Sequence, residues 1–157
     1  DWATKTLACI GNKKRIDMNP EWAMLRKYRL EKDFLFSEEE KDQMLGLLFL
    51  HCPTNRMAYE YLMAYTLLTK DLNHFVQYFP LGKNLGYKEI PAHYQEALIF
   101  AWSNHSSDLE KTPWPINNAV KQNLLSYANI YSANKNSESL LFNGFSQTYW
   151  YYLHFRK

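Results

Sequence analysis

The clearest periodicity in the chain lies at residues 55–72, NRMAYEYLMAYTLLTKDL, where Ala58, Tyr61, Leu62, Tyr65 and Leu68 recur at three- and four-residue spacing. That spacing puts side chains on one face of an α-helix and leaves Arg56, Glu60 and Lys70 mostly to the other. The small Ala58 and Ala64 let another backbone come close. Directly afterwards, Asp71-Leu72-Asn73-His74-Phe75 reads as a tight turn into a short helix carrying Leu72, Phe75, Val76 and Phe79, so the pair predicts an antiparallel helical hairpin. Pro80, Gly82 and Gly86 close that short helix.

The same pattern extends in both directions. Trp2, Leu7, Ala8 and Ile10 read as the last turns of a helix stopped by Gly11-Asn12. Asn19-Pro20 offers a cap and a proline at the first helical position, predicting a helix over residues 20–30 with Trp22, Met24, Leu25 and Tyr28 available for packing. Ser37 with Glu38, Glu39 and Glu40 is a capping-box start, and Met44, Leu45, Leu48 and Phe49 carry that helix to His51 before Pro53 ends it. Pro91 opens a helix with Tyr94, Ala97, Leu98, Ala101, Trp102 and His105 on a broad face, residues 106–115 are loop, and residues 116–133 show Val120, Leu124, Tyr127 and Tyr131 on one stripe. Within residues 137–155 the run TYWYY, Thr148 to Tyr152, favours strand, but a lone strand has no partner among helices, so the segment reads as helix, with Asn143-Gly144 as a candidate break. Leu62, Leu98, Tyr65, Trp102 and Leu124 are the predicted core.

Short helices in pairs, few long connections and no strands predict an all-α fold in a single domain spanning residues 1–157. A 36-residue shift lays Glu60, Leu62 and Met63 on Glu96, Leu98 and Ile99, near the period of helix-turn-helix repeats. The favoured architecture is a stack of antiparallel hairpins forming an α-α superhelix like tetratricopeptide repeats, and the alternative is an irregular helical bundle.

Composition narrows the function classes. Apolar residues at 46% and charged residues at 22% exclude disorder, and 17% aromatics with 12 tyrosines suit interfaces where one side of a ring packs while its hydroxyl stays wet. A formal charge of +2 from 18 basic and 16 acidic side chains implies neither nucleic acid nor an anionic membrane as a partner. Cys9 and Cys52 are too few for a disulfide framework and match no zinc spacing, so two free thiols are favoured over one disulfide. The chain opens on Asp1, with neither a leader nor a membrane-length apolar run, which predicts a fragment of a longer protein.

Four stretches carry a resemblance: AYEYLMAYTLLTKDL from Ala58, PAHYQEAL from Pro91, TYWYYLHF from Thr148, and the opening DWA. Together they resemble the C-terminal part of an uncharacterised family of Bacteroidetes membrane proteins with a domain of unknown function. In that family a multi-span N-terminal half precedes a soluble region resembling tetratricopeptide repeats. The resemblance implies a helical-repeat domain of a membrane-anchored parent, facing the periplasm and touching the membrane only through the missing N-terminal part. It supplies no catalytic residue.

Candidate chemistry is sparse. No two of the histidines at 51, 74, 93, 105 and 154 sit at the one-turn spacing, with a carboxylate partner, that a helical zinc site needs, and no metal or cofactor is expected. His51 and Cys52 are sequence neighbours pointing about 100° apart on a helix, which disfavours a thiolate–imidazole pair. GKNLG at residues 82–86 lacks the spacing of a phosphate loop. Glu60 and Glu96 each lie among aromatics, where a carboxyl can serve as a general acid, and two such groups across a cleft would suit glycan hydrolysis. The structural reading of the same residues is that each accepts hydrogen bonds from a tyrosine hydroxyl or a helix N-terminus. A non-catalytic domain binding a protein or peptide is therefore favoured, with the glycan hydrolase as its alternative. TYWYYLHF carries more large side chains than one helix face can bury. Trp150, Tyr151 and His154 are expected on its outer side, as a partner-binding surface, a contact with the missing part of the parent, or a surface wrapped by the 106–115 loop with Trp114.

Overall fold

The computed structural model describes residues 1–29, 41–133 and 138–156. Among them every regular element is helical and there is no strand, in line with the all-α expectation. The chain separates into two compact units, Asp1–Leu62 and Met63–Lys157.

The first unit begins with α1, Trp2–Leu7, whose first turn is closed by the Asp1 carboxylate accepting from the Ala3 N–H. The helix ends earlier than the expected stop at Gly11, with Ala8 as its C-cap, and Gly11 takes a φ of 76°, which disfavours a side chain, in the turn that follows. Asn12 then caps α2, Lys13–Asp17, a five-residue helix that the apolar pattern did not reveal because it has no apolar face. Asn19 caps α3, Pro20–Lys27, with proline at the first position, and Arg26 pairs with Asp17 at 2.8 Å where α2 and α3 pack together. α4, Lys41–His51, ends before Pro53 as predicted, whereas the Ser37 start signal lies outside the described residues. Asn55 caps the next helix, α5, Arg56–Leu68, and the boundary between the units falls within it. The unit's core is small: Phe49, Ala58, Tyr59 and Leu62, with the Phe49 and Tyr59 rings 5.4 Å apart. Cys9 and Cys52 are free thiols, both half-buried.

α5 is rotated from the face its spacing suggested. It buries Ala58, Tyr59, Leu62, Met63, Thr66 and Leu67, while Tyr61 and Leu68 are exposed. Both stripes are apolar, so periodicity alone could not say which one the core takes.

The second unit continues through α6, Leu72–Tyr78, a 3-10 turn at Phe79–Asn84, α7, Ala92–Ser103, a second 3-10 turn at Leu109–Lys111, and α8, Asn118–Ala133. The final segment is two helices, α9, Glu138–Phe145, and α10, Tyr149–Phe155. Gly144 sits inside α9; the break comes at residues 146–148, where Thr148 leaves helical geometry and its hydroxyl accepts from the Tyr151 N–H. α6 packs on α7, and α7, α8, α9 and α10 form a closed circuit in which α10 returns to α7. That circuit is compatible with the irregular bundle. Leu98, Leu124, Ile99, Tyr127, Leu141 and Trp150 fill it. Of the predicted core, Leu62, Leu98 and Leu124 are buried, but Tyr65 and Trp102 are only half-buried. Trp102 has a reason to stay at the rim, because its indole N–H donates to the Asp108 carbonyl in the loop.

Candidate binding groove

The site is built around α10, a seven-residue helix whose aromatics point in several directions. Tyr149 and Tyr152 lean toward the end of α5, where their hydroxyls donate to the Leu67 carbonyl at 3.2 Å and the Leu68 carbonyl at 2.8 Å. Both carbonyls lie in the last turn of α5; that of Leu67 also accepts from the Lys70 N–H, and beyond the helix end there is no following turn for that of Leu68. Trp150 points at α7, where its indole N–H donates to the Glu96 carbonyl at 2.9 Å. Tyr151 points at α9, its hydroxyl donating to Glu138 at 2.7 Å. Burial, with that hydrogen bond, pushes the Tyr151 phenol up, and burial does the same to Tyr149 and Tyr127.

Two further groups fix the ends of α10. Glu96 accepts from the Tyr149 N–H at 2.8 Å and, with the same oxygen, pairs with His93 Nδ1 at 2.9 Å. Lys70 donates from Nζ to the carbonyl of Leu153 at 2.9 Å and to that of Arg156, covering the last turn. Asp71, which caps α6, lies beside it. Burial pushes its carboxyl up, but the hydrogen bonds from the His74 backbone and ring prevail and hold it below the usual carboxylate range.

Anchoring α10 in this way leaves a groove between the end of α5, the start of α7 and the connection into α10. It encloses about 440 Å³. Leu67, Leu68, Tyr94, Tyr149 and Tyr152 supply its apolar walls, and His93 and Gln147 stand exposed at its edge. A volume of that order takes one or two large apolar side chains, and the edge groups can hydrogen-bond a main chain.

The expected site residues divide. Trp150 and Tyr151 are 0% exposed, so neither forms an outer surface. The physical reason is that α10 is enclosed by helices on several sides instead of capping the end of a stack: Trp150 packs on Tyr127 of α8, and Tyr151 on Phe142 of α9. Trp114, expected to wrap these rings, packs edge-on against Phe79 and Trp102. His154 keeps an exposed edge and lines a second concavity of about 410 Å³ with Tyr131, Phe100 and Leu125. Its ring stacks on Tyr131 with centroids 4.4 Å apart, and Nδ1 lies 2.6 Å from the Tyr127 hydroxyl. Burial and the nearby Lys70 charge hold His154 below its ordinary pKa, so it is neutral near pH 7.

Glu96 follows the structural reading, as the acceptor for a helix N-terminus. Glu60 is paired with Arg56 of the preceding turn at 2.7 Å. Among the described residues no three of His, Cys, Asp and Glu are grouped as a metal would need.

Residues 1–156 match a family of unknown function, DUF6057. The chain belongs to that family. No curated protein matches it, and no solved structure matches it. In this DUF6057 chain no helix among the described residues is long and apolar enough to cross a membrane. Sequence reasoning missed its groove. The signal was Leu68, placed on the helix's buried face though it stays exposed, like Met57 and Tyr61, once the other stripe is packed.

Proposed function

We propose that this DUF6057 chain is a non-catalytic binding domain whose groove holds a peptide segment through one large apolar side chain. The observation that carries the reading is an apolar concavity, walled by Leu68, Tyr94 and Tyr152, on a helix that the protein anchors at both ends. Rigid aromatic walls with hydrogen-bonding groups at the edge are the usual make-up of a peptide anchor pocket. For the parent protein, the resemblance of the four stretches supports a membrane anchor, with this domain outside the cytoplasm and hairpins stacked as in tetratricopeptide arrays.

The test is selection from a displayed random-peptide library. The parent chain should enrich peptides with a common Leu, Ile, Phe or Trp, and Leu68→Asp should lose the enriched peptides by at least about tenfold in affinity, the effect of one desolvated contact of about 1.4 kcal/mol. Leu68 is 65% exposed, so the substitution leaves the core intact. Enrichment of no common residue, or equal binding by the variant, removes the reading.

A further inference from the structure

Residues 1–29 form three helices without one buried side chain. Their apolar groups face outward: Trp2 is 77% exposed, Ile10 71% and Met18 82%, with Leu7 similarly open. The same stretch holds seven basic and three acidic side chains, against eleven and thirteen in the rest of the chain. One of the three acids, Asp17, is already engaged by Arg26. Lys13, Arg26 and Lys27 line a concavity of about 490 Å³ where α2 meets α3. The small net charge of the whole chain thus conceals a basic, apolar segment at one end.

From this we infer an interaction surface: residues 1–29 dock on a bilayer containing anionic phospholipid. Trp2, Leu7, Ile10 and Met18 enter the boundary between headgroups and acyl chains. Lys13 and Lys27, with Lys14 and Arg15 on the same short helix, meet the lipid phosphates. Two physical arguments support this partner. Helices of six, five and eight residues are marginal by themselves, and burial within the stretch does not offset the conformational entropy lost in ordering them. A surface that takes in apolar side chains and attracts cations together offsets it, and an anionic bilayer is such a surface. Nucleic acid would satisfy the cations but leave Leu7, Ile10 and Met18 in water, since it accepts side chains chiefly by stacking on aromatic rings.

The inference does not rest on the groove, and its test uses other residues. The 157-residue chain is sedimented with vesicles of phosphatidylcholine and phosphatidylglycerol, and with vesicles of phosphatidylcholine alone. It should bind the mixed vesicles, not the neutral ones, and release as salt screens the attraction. Each lysine near an anionic surface contributes about fivefold, so Lys13→Gln with Lys27→Gln should lower partitioning roughly 30-fold. Trp2→Ser with Ile10→Ser should also weaken it while circular dichroism holds, because neither side chain is buried. Binding to neutral vesicles as strong as to mixed ones, insensitivity to salt, or equal partitioning by the variants overturns the proposal. So does a chain that binds a polyuridine RNA and ignores vesicles, or one that self-associates through Trp2 and leaves lipid alone.

Discussion

Lys70 occupies a position where glycine is usual. Its φ of 61° is left-handed, and the Asp71 N–H bonds to the Thr66 carbonyl while the Lys70 N–H bonds to that of Leu67, the two bonds of a Schellman stop. A side chain there costs about 1 kcal/mol over glycine, and the lysine is retained in a place from which its ammonium reaches the end of α10. Lys70→Ala keeps the strain and loses the contact, so it should destabilise by about 2 kcal/mol; Lys70→Gly also loses the contact but relieves the strain, and should be about 1 kcal/mol more stable than the alanine variant. Urea denaturation curves of the two decide it, and equal midpoints would show that the left-handed turn is unstrained. His154 gives a prediction in pH. Its folded pKa lies below the ordinary 6.5, so between the two values the unfolded chain binds more protons and stability falls as pH is lowered through 6.5. The sign is opposite for Tyr127, whose phenol is raised above 10, so stability should also fall as pH rises past 10. A His154→Gln variant should show a flatter stability profile between pH 7.5 and 5. An unchanged slope would assign that loss to other groups, Asp71 excepted, since its window lies at and below its ordinary 3.8.

Among the elements, α10 is a short sequence with large consequence for the second unit. Its seven residues include Trp150 and Tyr151, both fully enclosed, and Tyr149, nearly so. Trp150→Ala should therefore cost about 3–5 kcal/mol, and Trp150→Phe less, though the phenylalanine leaves the Glu96 carbonyl without the indole N–H. Chemical denaturation followed by circular dichroism reads both. A Trp150→Ala chain as stable as the parent would mean that the indole is not packed as described and would return it to the role of a surface anchor. The same element shows the limit of propensity: TYWYY, Thr148 to Tyr152, favours strand residue by residue, yet Thr148 caps a helix and each polar tip finds a partner in that geometry. Competing local preference lost to burial of three aromatic rings.

At the scale of the molecule, the helical class was legible because apolar spacing and capping residues are local signals. Asn19-Pro20, Asp71 and Pro91 punctuate the chain where the sequence placed them, since a cap or a proline acts on the few residues beside it. The choice between two apolar stripes on α5 was not legible, nor was the enclosure of Trp150 and Tyr151, because each depends on what packs against the helix. Glu96 shows the intermediate case. Its possible roles could be written down from its neighbours, but its selection as the acceptor for the Tyr149 N–H needed α10 to be brought back onto α7 across 53 residues of chain. Net charge was uninformative for a related reason: a sum over 157 residues averages away the basic, unburied end formed by residues 1–29. The sequence by itself determined that this chain is helical and where most of its helices begin, because hydrogen bonds within a helix join residues four apart. Only the tertiary structure decided which faces are buried and where the groove lies, because burial and concavity belong to surfaces contributed by several elements at once.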